Sequence, residues 1–241
     1  MRSYDKSNNF LVEALAIIPL GSQTFSKSYY SLPKGAAPLF IERGDGAIVW
    51  DVDGNEYIDL VNGLLCVSLG YNDKDVNNAI IDQLQNGITF SLPHRLEKEV
   101  AELLVELIPC AEMVRFGKNG SDVTSAAIRL ARAHTGKDHI AVCGYHGWQD
   151  WYIGSTTRNL GVPKCVQQLT HSFEYNNLHS LESILIEHPD TAAVIMEPMS
   201  GIYPEKNFLE RVRLLCDEHG VVLIFDEMIT GFRFDLGGAQ K

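Results

Sequence analysis

From residue 113 to residue 226 the chain alternates short apolar runs with stretches of helical period, and that alternation admits few folds. Ala192-Ala-Val-Ile-Met196 and Val221-Val-Leu-Ile-Phe225 are continuous apolar runs without a polar face. Such runs suit strands buried on both sides. His139-Ile-Ala-Val142 reads as a further strand, Val166-Gln-Gln-Leu169 as a weaker one, and Met113-Val-Arg-Phe116 as a strand leading into a helix over 121–135. Helical patterns over 177–188 and 206–219 fill the gaps. The order predicts an α/β protein with a mostly parallel sheet and helices on both faces.

The first part of the chain follows another period. Residues 4–18 predict a helix closed by Pro19 and Gly21. Ala47-Ile-Val-Trp50 and Glu56-Tyr-Ile-Asp-Leu60 predict a hairpin turning through Asp51-Val-Asp-Gly-Asn55. Val76, Ile80, Ile81 and Leu84, then Leu96, Val100, Leu103, Leu104 and Leu107, mark two amphipathic helices. A division into a small α+β portion, residues 1–60, and a large α/β portion, residues 61–241, is expected.

Charge and composition exclude some functions. Lys and Arg number 20 against 31 Asp and Glu, a net charge of −11, and no basic stripe suits nucleic acid. The apolar runs fall far short of the roughly 20 residues a membrane helix needs. The N-terminus lacks a signal-peptide profile. The five cysteines are odd in number and widely spaced, and are expected to be reduced, buried thiols of a cytoplasmic protein.

Parallel sheets bind ligands beyond the carboxyl ends of their strands, and three segments there carry chemistry. Gly117-Lys-Asn-Gly-Ser-Asp122 would place Gly120 and Ser121 at a helix N-terminus, which cradles phosphate or is simply capped by Ser121 or Asp122. Gly144-Tyr-His-Gly147, with Trp148 and Trp151, offers rings for a flat ligand or for the core beneath a loop. Asp226 follows what is expected to be a central buried strand, where a carboxylate needs a cationic partner. The eight histidines look scattered and no metal site is expected. Walker, Gly-x-Ser-x-Gly and Gly-x-Gly-x-x-Gly motifs are absent. Phosphate cradle, stacking ring and carboxylate together suit pyridoxal phosphate.

The runs Pro38-Leu-Phe-Ile-Glu-Arg43, Val49-Trp-Asp-Val-Asp-Gly-Asn-Glu-Tyr-Ile-Asp59, Ala126-Ala-Ile-Arg-Leu-Ala-Arg132, Tyr145-His-Gly147, Glu197-Pro198 and Phe225-Asp-Glu-Met-Ile-Thr-Gly-Phe-Arg233 together resemble the class III pyridoxal-phosphate-dependent aminotransferases. Within that family the chain is most similar to the glutamate-1-semialdehyde 2,1-aminomutase group. The resemblance implies a fold-type I transferase large domain with part of a small α+β domain, and a homodimer when complete. It implies transfer of an amino group between a small amino donor and an aldehyde or keto acceptor. Gly120 and Ser121 would bind the cofactor phosphate, Tyr145 and Met228 would cover the two ring faces, and Asp226 would pair with the ring nitrogen. His146 and Glu197 would line the site.

Departures from the aminomutase pattern point to another substrate. Gln23-Thr-Phe-Ser-Lys27 replaces its Asn-Ser-Pro-Val-Arg stretch, Gly63-Leu64 its Ser-Trp pair, and Ser200 is the remaining candidate where relatives use Gln or Asn. The resemblance also places the Schiff-base lysine one strand after the Asp-Glu-x-x-Thr-Gly segment, within a Leu-Gly-Lys-like turn. Gly237-Gly-Ala-Gln-Lys241 stops short of it, and Lys241 falls too early in the motif. No catalytic lysine is therefore expected in this chain, which is expected to be incomplete at its C-terminus and inactive by itself. The alternatives are the aminomutase itself, a truncated non-catalytic homologue acting as a binding or partner protein, and an unrelated α/β binding module.

Overall fold

The computed structural model describes residues 2–199 and 201–241. They form two compact units, one ending at Leu92 and one beginning at Pro93.

The first unit opens with helix α1 (Asp5–Leu15), followed by three short 3-10 turns. An antiparallel meander then runs through β1 (Ile41–Asp45), β2 (Ile48–Asp51) and β3 (Glu56–Ile58). Asp51 builds the β2–β3 turn. Its Oδ1 accepts from the Asp53 and Asn55 amides at 3.0 and 2.8 Å, and its Oδ2 from Asn55 Nδ2 and the Tyr57 hydroxyl, both at 2.8 Å. Gly54 supplies the positive φ, +86°, that the turn requires. The turn α2 (Asn62–Leu65) and helix α3 (Lys74–Asn86) follow, α3 being capped by Asp73, which accepts from the Val76 amide.

The second unit begins with α4 (Arg95–Leu107) and continues as α5 (Gly120–Thr135), β4 (His139–Cys143), α6 (Asp150–Ile153), α7 (Lys164–Gln167), β5 (Thr170–Ser172), α8 (Leu178–Glu187), β6 (Thr191–Met196), α9 (Phe208–His219) and β7 (Val222–Phe225). The strands form one parallel sheet in the order β5-β4-β6-β7. Period-2 alternation sends successive residues to opposite faces. Ala141, Val194 and Met196 pack with Leu181 and Leu185 of α8 and Phe208, Val212 and Leu215 of α9. Ile140, Val142, Ala193 and Ile195 pack with Ile128 and Ala131 of α5 and with Trp151 and Tyr152. Every residue of β6 is buried. At about 1.5–3 kcal/mol per large apolar side chain, this two-sided core is the main source of stability in the unit.

Among the described residues the strand ending at Phe225 lies last in the sheet order, with all four residues half-buried, and β6 is the fully buried strand. Two expectations need correction. Met113–Phe116 forms no strand, because no strand among the described residues runs alongside to take its hydrogen bonds. Residues 164–167 are helical rather than extended. Pro163, at φ −59°, starts that turn, and the strand begins afterwards at Thr170.

The cysteines are all free, as expected, but Cys66, Cys110 and Cys165 are exposed, Cys143 is half-buried and Cys216 alone is buried. Hydrophobic neighbours in sequence did not translate into burial. Among the described residues no helix is long and apolar enough to cross a membrane.

Candidate active site

The parallel register places Cys143, Met196 and Phe225 side by side at the strand ends, so the residues that follow them converge. The Asp226 amide donates to Met196 O at 2.8 Å, and the Glu197 amide to Cys143 O at 3.3 Å. The ladder thereby fixes the start of each loop, and the site grows from these ends.

His146 Nδ1 lies 2.9 Å from Asp226 Oδ2, and its Nε2 lies 3.1 Å from Cys143 O. Both ring nitrogens therefore face oxygens, one of the Asp226 carboxylate and one of the Cys143 carbonyl. The second carboxylate oxygen, Oδ1, accepts from the Met228 amide at 3.1 Å. Thr124, buried on α5, donates to His146 O at 3.0 Å and anchors the loop from below.

The loop Gly144–Gly147 is drawn tight. Gly144 and Gly147 have φ of +107° and +106°. A Cβ on Gly144 would meet Glu197 Oε1 at 3.0 Å, and one on Gly147 would overlap Ser121 Oγ. Glu197 Oε1 accepts from the Tyr145 amide at 3.1 Å. Tyr145 is 64% exposed as a residue, and its ring meets that of Tyr152 edge-on, centroids 5.7 Å apart. Burial, then Tyr145 and Glu197, raise the Tyr152 hydroxyl above the ordinary phenol range, and it donates to Gly144 O at 2.8 Å. Burial, then Glu197, pushes the Cys143 thiol up to about 11. Trp151 takes the core role, bonding Ser125, whereas Trp148 stays exposed.

The N-terminus of α5 completes the arrangement. Asn119 caps the helix, its Oδ1 accepting from the Asp122 amide at 3.1 Å, in place of Ser121 or Asp122. Asn119 O takes the Val123 amide, so the amides of Gly120 and Ser121 have no acceptor within the helix and point outward. Ser121 Oγ faces the Trp148 amide at 3.4 Å. A Cβ on Gly120 would lie 2.8 Å from Met228 Cε, so only glycine lets Met228 approach the helix end this closely.

Gly120, Ser121, Tyr145, His146, Glu197, Asp226 and Met228 therefore gather at one end of the sheet, while Ser200 lies outside the described residues. Sequence reading missed Asn119 and Thr124, although Asn is a preferred cap and a threonine on an inward helix face signals a buried partner. It also missed Glu227. That carboxylate accepts from Thr230 Oγ1 and from the Ala239 and Gln240 amides, tying down the chain after the site. A cleft of about 480 Å³ adjoins Asp226 and Met228 and is lined by Ile195, Ile224, Phe232 and Leu236.

The histidines are not all scattered. His139, His171 and His188 stack on one another away from this site. Burial, then His188 and His139, lowers His171 below the ordinary imidazole range. No sequence motif marks the cluster, because its members come from three separate elements.

Residues 29–237 match the family model described as aminotransferase class-III. The chain is 40% identical to a 3-aminobutyryl-CoA aminotransferase of Cloacimonas acidaminovorans, over 98% of this chain and 58% of that protein. It is 39% identical to a glutamate-1-semialdehyde 2,1-aminomutase of Lachnoclostridium phytofermentans, with the same two coverages. Among solved structures, a transaminase with PLP bound superposes with a TM-score of 0.88 at 29% identity, over 99% of this chain and 58% of its own. The chain thus spans somewhat over half the length of these relatives. With the α/β sheet, the converging loops and the family match in agreement, the chain belongs to the class III aminotransferase family.

Proposed function

We propose that this chain is the cofactor-binding part of a cytoplasmic pyridoxal-phosphate enzyme that moves an amino group between a small amino donor and an aldehyde or keto acceptor. The observation that carries this reading is the Asp226–His146 pair at the sheet's carboxyl end, beside a glycine-lined helix N-terminus. Asp226 keeps unused lone pairs on oxygens already held by His146 and the Met228 amide, and these suit a protonated ring nitrogen. The free amides of Gly120 and Ser121 and the Ser121 hydroxyl suit a phosphate dianion. The exposed ring of Tyr145 and the thioether of Met228 suit the two faces of a planar heterocycle.

When bound, pyridoxal phosphate supplies an electron sink for negative charge at the substrate Cα. The chain's part is to keep that sink effective. Asp226 holds the proton at the ring nitrogen, and His146 holds Asp226 in place. Glu197, on the Tyr145 amide, fixes the loop that carries the stacking ring. In this proposal the Schiff-base lysine comes from sequence after Lys241, so the 241-residue chain binds cofactor without turning over substrate. The small-domain role of residues 1–60 and the large-domain role of 61–241 belong to the same proposal. So does a homodimer, supported by Leu96, Val100 and Leu103, which leave an apolar stripe of α4 exposed.

Aminomutase chemistry is the second reading, favoured by 39% identity to such an enzyme. The absence of arginine from Gln23–Lys27 weighs toward amino transfer to another acceptor. The test is to titrate the complete protein with pyridoxal phosphate, follow its visible absorption, and assay a panel of amino donors with keto and aldehyde acceptors. Stoichiometric uptake and amino transfer are expected; failure to take up cofactor overturns the reading.

A further inference from the structure

We propose that His139, His171 and His188 form a binding site for one divalent transition-metal ion, of the zinc, nickel or copper class, on the face of the sheet covered by α8 and α9. The site is remote from the one above. His139 opens β4, whose other end leads into the Gly144–Gly147 loop. Four residues of strand at about 3.3 Å each separate the two by roughly 13 Å.

The three rings are brought together by rigid elements. His139 is the first residue of β4, His171 the middle residue of β5, and His188 closes α8. The backbone around them is tied down. The His139 amide donates to Asp190 O at 3.2 Å, and the Thr191 amide and hydroxyl both donate to His188 O, at 3.0 and 2.7 Å. The ring planes lie within 16° of parallel, with centroids 3.8–5.0 Å apart.

One nitrogen from each ring lies within 4.8 Å of the other two, and His139 Nδ1 lies 2.7 Å from His171 Nε2. Zinc–nitrogen bonds of about 2.0–2.1 Å in a tetrahedron require nitrogens about 3.3 Å apart. The three nitrogens are already within reach of one ion, and ring rotation about χ1 and χ2 on fixed backbones, out of the present stack, is the movement that would aim their in-plane lone pairs at it. The shared hydrogen of the 2.7 Å contact would give way to the ion.

Two further features suit a dication. His139 Nε2 lies 3.6 Å from Asp190 Oδ2, beyond a hydrogen bond in this structure, and the ring rotation that metal binding requires would bring the two into the contact by which carboxylates orient metal-binding histidines. Glu187 and Asp190 add negative charge beside His171. All three histidines are only half-buried, which leaves a path for the ion and a fourth position for water. An all-imidazole set selects zinc, nickel or copper over magnesium or calcium, which prefer oxygen.

The test uses the 241-residue chain with zinc and, separately, copper as probes, after blocking the exposed thiols of Cys66, Cys110 and Cys165 by alkylation. Equilibrium dialysis against zinc is expected to show one equivalent bound. Affinity should fall at least tenfold in His188→Gln and in His171→Gln, and about tenfold in Asp190→Asn. Electron paramagnetic resonance of the wild-type copper form is expected to show coupling to several nitrogens, and needs no variant to fold. Unchanged zinc affinity in folded variants, or a copper signal without nitrogen coupling, overturns the proposal.

Discussion

His146 Nδ1 lies 2.9 Å from Asp226 Oδ2, with the two side chains 0% and 6% exposed. The other ring nitrogen, Nε2, lies 3.1 Å from Cys143 O, so strand β4 and the loop after β7 meet through one imidazole.

Breaking that pair should cost stability and cofactor affinity to different degrees. His146→Ala leaves the Asp226 carboxylate buried without its partner, and a loss of about 3–5 kcal/mol in urea unfolding is expected. Asp226→Asn keeps a hydrogen-bonding group of the same shape against Nδ1, so the expected loss is about 1 kcal/mol. A neutral amide cannot hold a protonated ring nitrogen, and Asp226→Asn should bind pyridoxal phosphate much more weakly than wild type. Wild-type cofactor affinity in Asp226→Asn would remove the role assigned to this carboxylate.

The two glycines beside the helix end should respond oppositely. At Gly147, φ is +106° and an added Cβ overlaps Ser121 Oγ, so Gly147→Ala combines backbone strain with a clash against a short side chain. About 1–3 kcal/mol of destabilisation is expected, read as a lowered thermal midpoint. At Gly120 the added Cβ meets only Met228 Cε, the end of a flexible chain. Gly120→Ala should leave the midpoint close to wild type while displacing Met228 and weakening cofactor binding. Equal effects from both substitutions would show that the cradle is not shaped as described.

How much of this was legible beforehand follows from what determines each element. Thr191–Met196 announces itself because a strand buried on both faces is built of apolar residues, and the half-buried Val222–Phe225 carries the same unbroken apolar run. Helix α5 is marked by Asp122 in its first turn and Gly136 at its end, while its cap, Asn119, went unread because Ser121 and Asp122 offered competing caps two and three residues on. Met113–Phe116 misled because an apolar run becomes a strand only beside another strand. The run at 166–169 is too short for its period to be read, and Pro163 decided the outcome. Tyr145, His146 and Asp226 could be placed from strand ends alone. The His146–Asp226 bond and the histidine cluster depend on strand order and register, which no single stretch of sequence encodes.

The first unit should weaken in acid through Asp59. Its carboxylate accepts from the Val61, Asn62 and Gly63 amides at 2.9, 3.1 and 2.8 Å and from the Tyr71 hydroxyl at 2.7 Å. Burial alone would raise its pKa, but these four bonds outweigh burial and hold it below the ordinary 3.8. A depressed carboxyl contributes stability that is fully present above the unfolded value and is lost as pH falls through the folded one. Tyr71 behaves conversely. The Asp59 bond, then burial, pushes it up to about 12, so its contribution is present below the ordinary 10.0 and is lost as pH rises toward 12. Protection of the Gly63 amide from hydrogen exchange should exceed that in Asp59→Asn above pH 3.8, and the two should converge below it. A difference that persists in stronger acid would contradict the assignment.

Thiol chemistry offers a check on whether the loop after β4 is formed before any ligand arrives. Cys66, Cys110 and Cys165 are exposed, whereas burial raises Cys143 to about 11 and Cys216 to about 12. The thiolate is the reactive form, so at neutral pH the two raised thiols should be inert. Iodoacetamide should therefore add three groups to the native chain and five after denaturation, counted by mass spectrometry. Cys143 carries the particular weight, because its carbonyl accepts from His146 Nε2 and its thiol lies beside Glu197. Rapid native modification at Cys143 would mean that Cys143–Gly147 opens in solution, and that the His146–Asp226 pair is assembled by the ligand instead of awaiting it.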